Sequence, residues 1–276
     1  MTRRYSSEAS VDAADLILTD RDRSLIRTVS DLRFVSGDQL ARIHFIEADP
    51  GAQARAARRS LIRLVRLDVL ARLPRRVGGV RAGSQGFVYH LGAVGYRLAV
   101  RYGWQPERRR RRSDIPGTAF LHHSLVVAEL HTLLREADRS RRVELLELSA
   151  EPSCWRSYGG VGAQAGKTLK PDSYVRLGVG EYEDSYFIEV DRGTEGSATI
   201  ERKLREYVAY EASGIEQEAR GVFPRVLWLV PDASRAAAIG ASIGRLPKAS
   251  RELFAVALQA DAVDVVSGTS TNTLST

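Results

Sequence analysis

Three carboxylates in the second half of the chain, Asp172, Glu189 and Asp191, are of a type and spacing that could do chemistry. Glu189 and Asp191 lie two apart in Tyr186-Phe187-Ile188-Glu189-Val190-Asp191, an apolar run that predicts a strand. Side chains two apart on a strand leave the same face, with Cα atoms about 6 to 7 Å apart. A carboxylate in the middle of a buried strand is costly unless it is paired or coordinated, so the sequence calls for a cation beside Glu189. If Asp172 opens the adjacent strand, its carboxylate can meet that of Glu189 across the ladder. Two or three converging carboxylates suit Mg²⁺ or Mn²⁺, which bind hard oxygen ligands, activate water and offset charge developing on a phosphate. The competing reading is structural: Glu189 pairs with Arg192, Arg202 or Lys203.

The elements around these acids alternate. A helix is predicted from about 118 to 135, carrying Leu125, Val126 and Leu130, then strands at 143–148, 169–177 and 186–191. A helix over 198–212, a strand over 225–230, an alanine-rich helix over 234–243 and a last strand near 254–258 follow. One helix, three strands, one helix and one strand make an α/β sandwich with a central mixed sheet.

The first half differs in charge. Through Ile115 the chain carries 23 Arg or Lys against 12 Asp or Glu, and the remainder carries 18 against 22, so the overall +7 averages two opposite halves. Basic excess confined to one domain is the electrostatic footprint of a polyanion-binding module. Thr19 and Asp22 resemble a helix start ahead of Leu25, Ile26 and Val29, and a second helix is expected from Ser36. After the break at Pro50-Gly51 a long helix is predicted over 52–71. On it Arg55, Arg59, Arg63 and Arg66 recur at spacings of four, four and three, one face of a helix, with Arg58 beside them. Strands at 73–77 and 87–91 then flank a glycine-rich tip in a hairpin that carries Arg75, Arg76 and Arg81. Three helices and a hairpin are the parts of a winged helix-turn-helix, whose third helix enters the major groove of double-stranded DNA while the wing follows the backbone.

The expected domains are a flexible N-terminus over 1–18, the winged helix over 19–105, and a basic linker over 106–117 containing the run Arg108 to Arg112. The α/β domain covers 118–262 and a disordered tail 263–276. The single cysteine, Cys154, excludes an internal disulfide and a multi-cysteine zinc site. With no apolar run of 18 residues and a polar start, the chain reads as cytoplasmic, with no membrane partner. His122 and His123 point in different directions on a helix, so with His131 they read as packing residues rather than a metal cluster. The stretch Gly159 to Thr168 ends like a phosphate loop, but Val161 stands where a glycine is needed, and a strand follows in place of a helix.

Pro171-Asp172, followed after 17 residues by Glu189-Val190-Asp191 in this element order, is similar to the PD-(D/E)xK nuclease superfamily, the restriction-endonuclease-like fold. The whole chain, from about 19 to 260, resembles the replication-relaxation family. The resemblance rests on His123-Ser124-Leu125-Val126-Val127-Ala128-Glu129, Pro171-Asp172, the stretch Glu189-Val190-Asp191-Arg192-Gly193-Thr194-Glu195, and Lys203-Leu204-Arg205-Glu206-Tyr207. It implies a winged helix ahead of a nuclease-like domain and a role in plasmid or mobile-element replication or mobilisation, with replication or mobilisation proteins as partners; a homodimer is expected because isolated winged helices gain specificity by pairing half-sites.

The departure from the nuclease pattern matters. Asp191 stands where that pattern has lysine, and an aspartate cannot polarise a phosphate. Some members of the superfamily move the lysine to the next helix, which makes Lys203 the replacement, and Glu129 matches an acid that some add to the metal shell. The resemblance therefore implies either a regulatory DNA-binding factor with a degenerate nuclease-like domain or a Mg²⁺-dependent endonuclease. In the second case Asp172, Glu189 and Glu129 hold the ion, Asp191 completes or orients the shell, and Lys203 approaches the phosphate.

Overall fold

The computed structural model describes residues 7–46, 49–73, 86–104, 116–159 and 166–269. The chain is mixed α/β and divides into two compact units, 1–132 and 133–276.

The first unit opens with α1 (Glu8–Ile17) and α2 (Asp20–Leu32), followed by β1 (Val35–Ser36), α3 (Gly37–His44) and α4 (Pro50–Arg66). Next come β2 (Leu70–Arg72), β3 (Val88–Leu91), α5 (Ala93–Arg101) and α6 (Thr118–Arg139), whose last turns fall beyond the division. The starts of α2 and α3 are local chemistry. Thr19 and Asp22 form a reciprocal capping box, and so do Ser36 and Gln39, each satisfying amides that a helix start leaves without partners. β3 is the central strand of a three-stranded sheet ordered β1-β3-β2, antiparallel throughout. Leu25, Ile26, Val29, Leu40, Leu61, Leu64, Leu70 and Val88 are buried in this unit. Gly92 and Gly95 press against the turn after α4: a Cβ would lie 2.1 Å from the Asp68 carbonyl oxygen and 2.0 Å from that of Val69. Only glycine permits that approach of α5.

Arg63, expected on the DNA-facing stripe, instead reaches back to Asp22, its terminal nitrogen 2.6 Å from both carboxylate oxygens. Asp22 is 1% exposed and Arg63 40% exposed, so the pair ties α4 to α2 with one end at solvent. Burial alone would raise the Asp22 pKa, but hydrogen bonds from Arg63 and Thr19 outweigh it and hold the carboxyl below its ordinary value. A carboxyl depressed in the folded state contributes stability that is present above its unfolded pKa, about 3.9, and lost as pH falls through the folded value. Asp22→Asn is therefore expected to lower the melting temperature at pH 7, with the gap to wild type closing below about pH 4. A gap that persists unchanged into acid would remove the ion pair from this account.

Within the N-terminus expected to be flexible over 1–18, residues Glu8–Ile17 form a helix. α1 is held by tertiary ion pairs: Glu8 with Arg97 and Arg101, Asp12 with Arg101, and Asp15 with Arg23 and Arg101. Val11 and Ala14 are buried beneath it. Of the strand predicted over 73–77, Leu73 alone is among the described residues, and it follows β2, which ends at Arg72. Arg75, Arg76, Arg81 and the Arg108 to Arg112 run lie outside the described residues.

The second unit continues with β4 (Glu144–Ala150), β5 (Arg156–Tyr158), β6 (Lys167–Leu169), β7 (Ser173–Val179), β8 (Tyr182–Val190), α7 (Ser197–Glu211) and α8 (Ile215–Arg220). β9 (Arg225–Val230), α9 (Ala233–Ile243), α10 (Lys248–Arg251), β10 (Phe254–Leu258) and α11 (Ala262–Val266) complete it. The sheet is ordered β10-β9-β8-β7-β4, antiparallel from β4 to β8 and parallel from β8 to β10. Tyr174, Phe187, Val226, Trp228, Val230 and Val256 alternate onto one face. There they join Ile200, Leu204, Tyr207 and Tyr210 of α7 and Ile239 and Ile243 of α9 in one core. The single strand predicted over 169–177 is two: β6 pairs with β5 as a separate hairpin, and β7 starts at Ser173. The tail expected to be disordered from 263 is helical through Val266, with Val263, Val265 and Val266 buried.

Candidate functional site

Glu189 sits near the end of β8, on the face that α7 covers, opposite Trp228 of β9. It is 2% exposed and both of its oxygens are used. Lys203 donates from Nζ to Oε2 at 2.9 Å, and the Tyr207 hydroxyl donates to Oε1 at 2.7 Å. Lys203 and Tyr207 are four apart on α7, so helical geometry presents both to one acid. The same ammonium lies 3.0 Å from Glu195 and 5.5 Å from the centre of the Trp228 ring, bridging two carboxylates over an aromatic face.

Burial first, then the nearby negative charge of Asp172, pushes the Glu189 carboxyl above its ordinary pKa, against the opposing pull of Lys203 and the Tyr207 hydrogen bond. Burial would lower Lys203, but Glu189, Asp172 and Glu195 raise it above the usual lysine value, so the ammonium stays charged. Asp172 precedes β7, where its Oδ2 accepts the Val190 amide at 2.7 Å and its own amide donates to the Ile188 carbonyl at 3.0 Å. Asp172 lies beside the Glu189 strand, and the Lys203–Glu189 contact is the ion pair named by the competing structural reading of the sequence.

Two other expected site residues are engaged elsewhere. Asp191, proposed to complete a metal shell, is held by Arg235 of α9 through a two-pronged pair, at 2.6 Å from Nε and 2.7 Å from a terminal nitrogen. Its Oδ2 also accepts the Gly193 amide at 2.7 Å. Glu129 belongs to the first unit, where Arg42 of α3 donates to it at 2.6 Å and Gln39 at 3.0 Å. Among the described residues no group of three His, Cys, Asp or Glu is placed to hold a metal ion. Both oxygens of Glu189 face protein donors and one of Asp172 faces an amide, so the donors in this arrangement do not fit Mg²⁺ or Mn²⁺.

Arg235, the partner that sequence reading missed, lies 44 residues from Asp191 and carries no local signal. A second buried acid was also missed. Glu216 of α8 accepts from Arg156 at 3.0 Å and from the Tyr210 hydroxyl, which pins the β5–β6 hairpin to α8. Cys154 is fully buried, its thiol donating to the Pro171 carbonyl, and burial raises its pKa, so it is a packing group without thiolate character.

In the first unit α4 buries Ala57, Leu61 and Leu64 and turns Arg55, Arg58, Arg59 and Arg66 outward. Arg55 reaches the exposed Asp49, at 3.4 Å. Arg58, Arg59 and Arg66 have no hydrogen bond or ion pair among the described residues, which leaves three guanidinium groups unneutralised on one helix face. Arg72 on β2 is exposed as well, stacked 4.4 Å from the centre of the Phe87 ring. Sequence reading passed over it because a single arginine in a short strand has no periodicity.

No helix among the described residues is long and apolar enough to cross a membrane. Comparison with curated proteins and with solved structures returned no match. A family model described as replication-relaxation matches residues 26–226, which takes in the capped start of α3, the arginine face of α4 and the Glu189–Lys203 cluster. The chain belongs to the replication-relaxation family.

Proposed function

We propose that the chain is a double-stranded-DNA-binding factor of plasmid or mobile-element replication or mobilisation, with an N-terminal winged helix and a second unit that keeps a restriction-endonuclease-like arrangement without turnover. The observation that carries the reading is the outward face of α4, where Arg58, Arg59 and Arg66 have no partner among the described residues. Like charges gathered on one face repel each other, and an anionic partner offsets that repulsion. The order α2, β1, α3, α4, β2, β3 with β3 central in its sheet supports the winged-helix assignment, in which α4 is the helix that enters the major groove. The order α6, β4, β7, β8, α7, β9 supports the nuclease-like assignment of the second unit. Pairing of two copies on related half-sites and contacts with replication or mobilisation proteins belong to the same reading.

Titration of the full chain on a mixed-sequence duplex at rising salt tests it. Neutralising five to seven phosphates gives a slope of log affinity against log salt of about −4 to −6. A slope near zero would sink DNA binding through the arginine face.

A second reading, a Mg²⁺-dependent endonuclease with a displaced lysine, is favoured by one observation: Lys203 reaches from α7 to Glu189 at 2.9 Å. The donor arrangement does not fit the ion, which places this reading second. Supercoiled, linear and single-stranded DNA incubated with Mg²⁺ or Mn²⁺ are expected to remain intact. Metal-dependent cleavage that vanishes in Asp172→Ala would reverse the order of the two readings.

A further inference from the structure

At 100° per residue, Arg55, Arg58, Arg59 and Arg66 fall within an arc of about 100° on α4, and Ile62 falls inside that arc, between Arg58 and Arg66. Ile62 is 39% exposed. It is no spill-over from the core, because Ala57, Leu61 and Leu64 define a buried face more than about 90° away around the helix. Helix propensity does not select it either, since a β-branched residue is a poorer helix former at an exposed position than arginine or alanine. A lone exposed apolar residue needs no explanation in itself. One set among Arg58, Arg59 and Arg66, which have no partner among the described residues, is different, because whatever neutralises those arginines must also meet the isoleucine.

A duplex presents one apolar group on its major-groove base edges, the C5-methyl of thymine. We propose that Ile62 contacts a thymine methyl in the major groove, so that α4 reads a site in which a thymine is flanked by guanines addressed by the surrounding arginines, the pairing that their forked donors favour. The inference rests on the DNA-binding reading above and adds to it a base preference and the residue that sets it. A-form duplex RNA fits neither requirement, since its major groove is too deep and narrow for a helix and uracil carries no methyl.

The experiment selects preferred duplexes from a random pool with the full-length chain, then replaces each thymine of the selected site by uracil, which removes the methyl and keeps base pairing. Because only the DNA is altered, folding of the protein is not in question. At one thymine the affinity of the wild-type chain is expected to fall about fourfold, the worth of one buried methyl group. In Ile62→Ala that penalty is expected to disappear, with the salt slope unchanged because no phosphate contact is touched. Salt-dependent binding that is indifferent to uracil at every thymine, or a uracil penalty that survives in Ile62→Ala, would overturn the inference while leaving DNA binding intact. Absence of salt-dependent duplex binding would overturn both.

Discussion

Replacing Arg58, Arg59 and Arg66 together by alanine is expected to lower the affinity of the full chain for duplex DNA by about 10²- to 10³-fold near 0.1 M salt, and to reduce the magnitude of the salt slope by about 3. The size follows from counterion release. Each guanidinium that neutralises a phosphate frees close to one condensed cation, worth nearly a factor of ten at that ionic strength. All three side chains are exposed and lack partners among the described residues, so their removal leaves the protein without an orphaned charge. Melting temperature is therefore expected to change little, because surface substitutions away from special features stay within about 0.5 kcal/mol. Arg63→Ala is the informative contrast, since it leaves Asp22 buried without its cation and is expected to lower stability as well as charge. An unchanged salt slope in the triple variant, measured by titration against sodium chloride, would move DNA binding away from α4.

Lys203→Met is expected to destabilise the second unit by about 3 to 5 kcal/mol near neutral pH, since it strands Glu189 in the core with only the Tyr207 hydroxyl for company. The sign of its pH dependence can be worked out. Burial and Asp172 already raise the Glu189 carboxyl in the wild type, and losing the ammonium raises it further. An acid with a raised folded pKa resists ionisation in the folded state alone. Stability then falls as pH climbs from the ordinary carboxylate value, about 4.3, through the raised one. The loss in Lys203→Met is therefore expected to be small near pH 4 and full near pH 8. Adding Glu189→Gln to the variant should recover much of it, because the buried group is then neutral and can hydrogen-bond. Hydrogen exchange of the β8 amides in the full chain at the two pH values reads the effect. A loss under about 1 kcal/mol at both would mean that Lys203 acts as an ordinary surface cation.

Local chemistry was legible in the sequence. The capping boxes at Thr19 and Ser36 work through residues three apart, so their hydrogen bonds are written in adjacent letters. The alternation of Phe187 and Glu189 put the acid on the face that α7 covers, and the spacing of Lys203 and Tyr207 put both donors on one side of a helix. The strands flanking Glu189 followed from apolar runs long enough to be read by period and length, while their order in the sheet came from the tertiary structure.

Partner choice was decided by the tertiary structure alone. Sequence spacing placed Arg63 on the stripe with Arg59 and Arg66, but the tertiary position of Asp22 on α2 drew it away. The same holds for Asp191 with Arg235 and Glu129 with Arg42, where an acid expected to help bind a metal is neutralised by an arginine far along the chain. α1, read from the sequence as irregular, is a helix capped at Ser7 whose acids meet Arg23, Arg97 and Arg101. Periodicity fixes which face of an element a side chain leaves, since that depends on backbone geometry within a few residues. Which charge it then meets depends on how distant elements pack, and for this protein that determined which arginines have no partner among the described residues and which acids are already occupied.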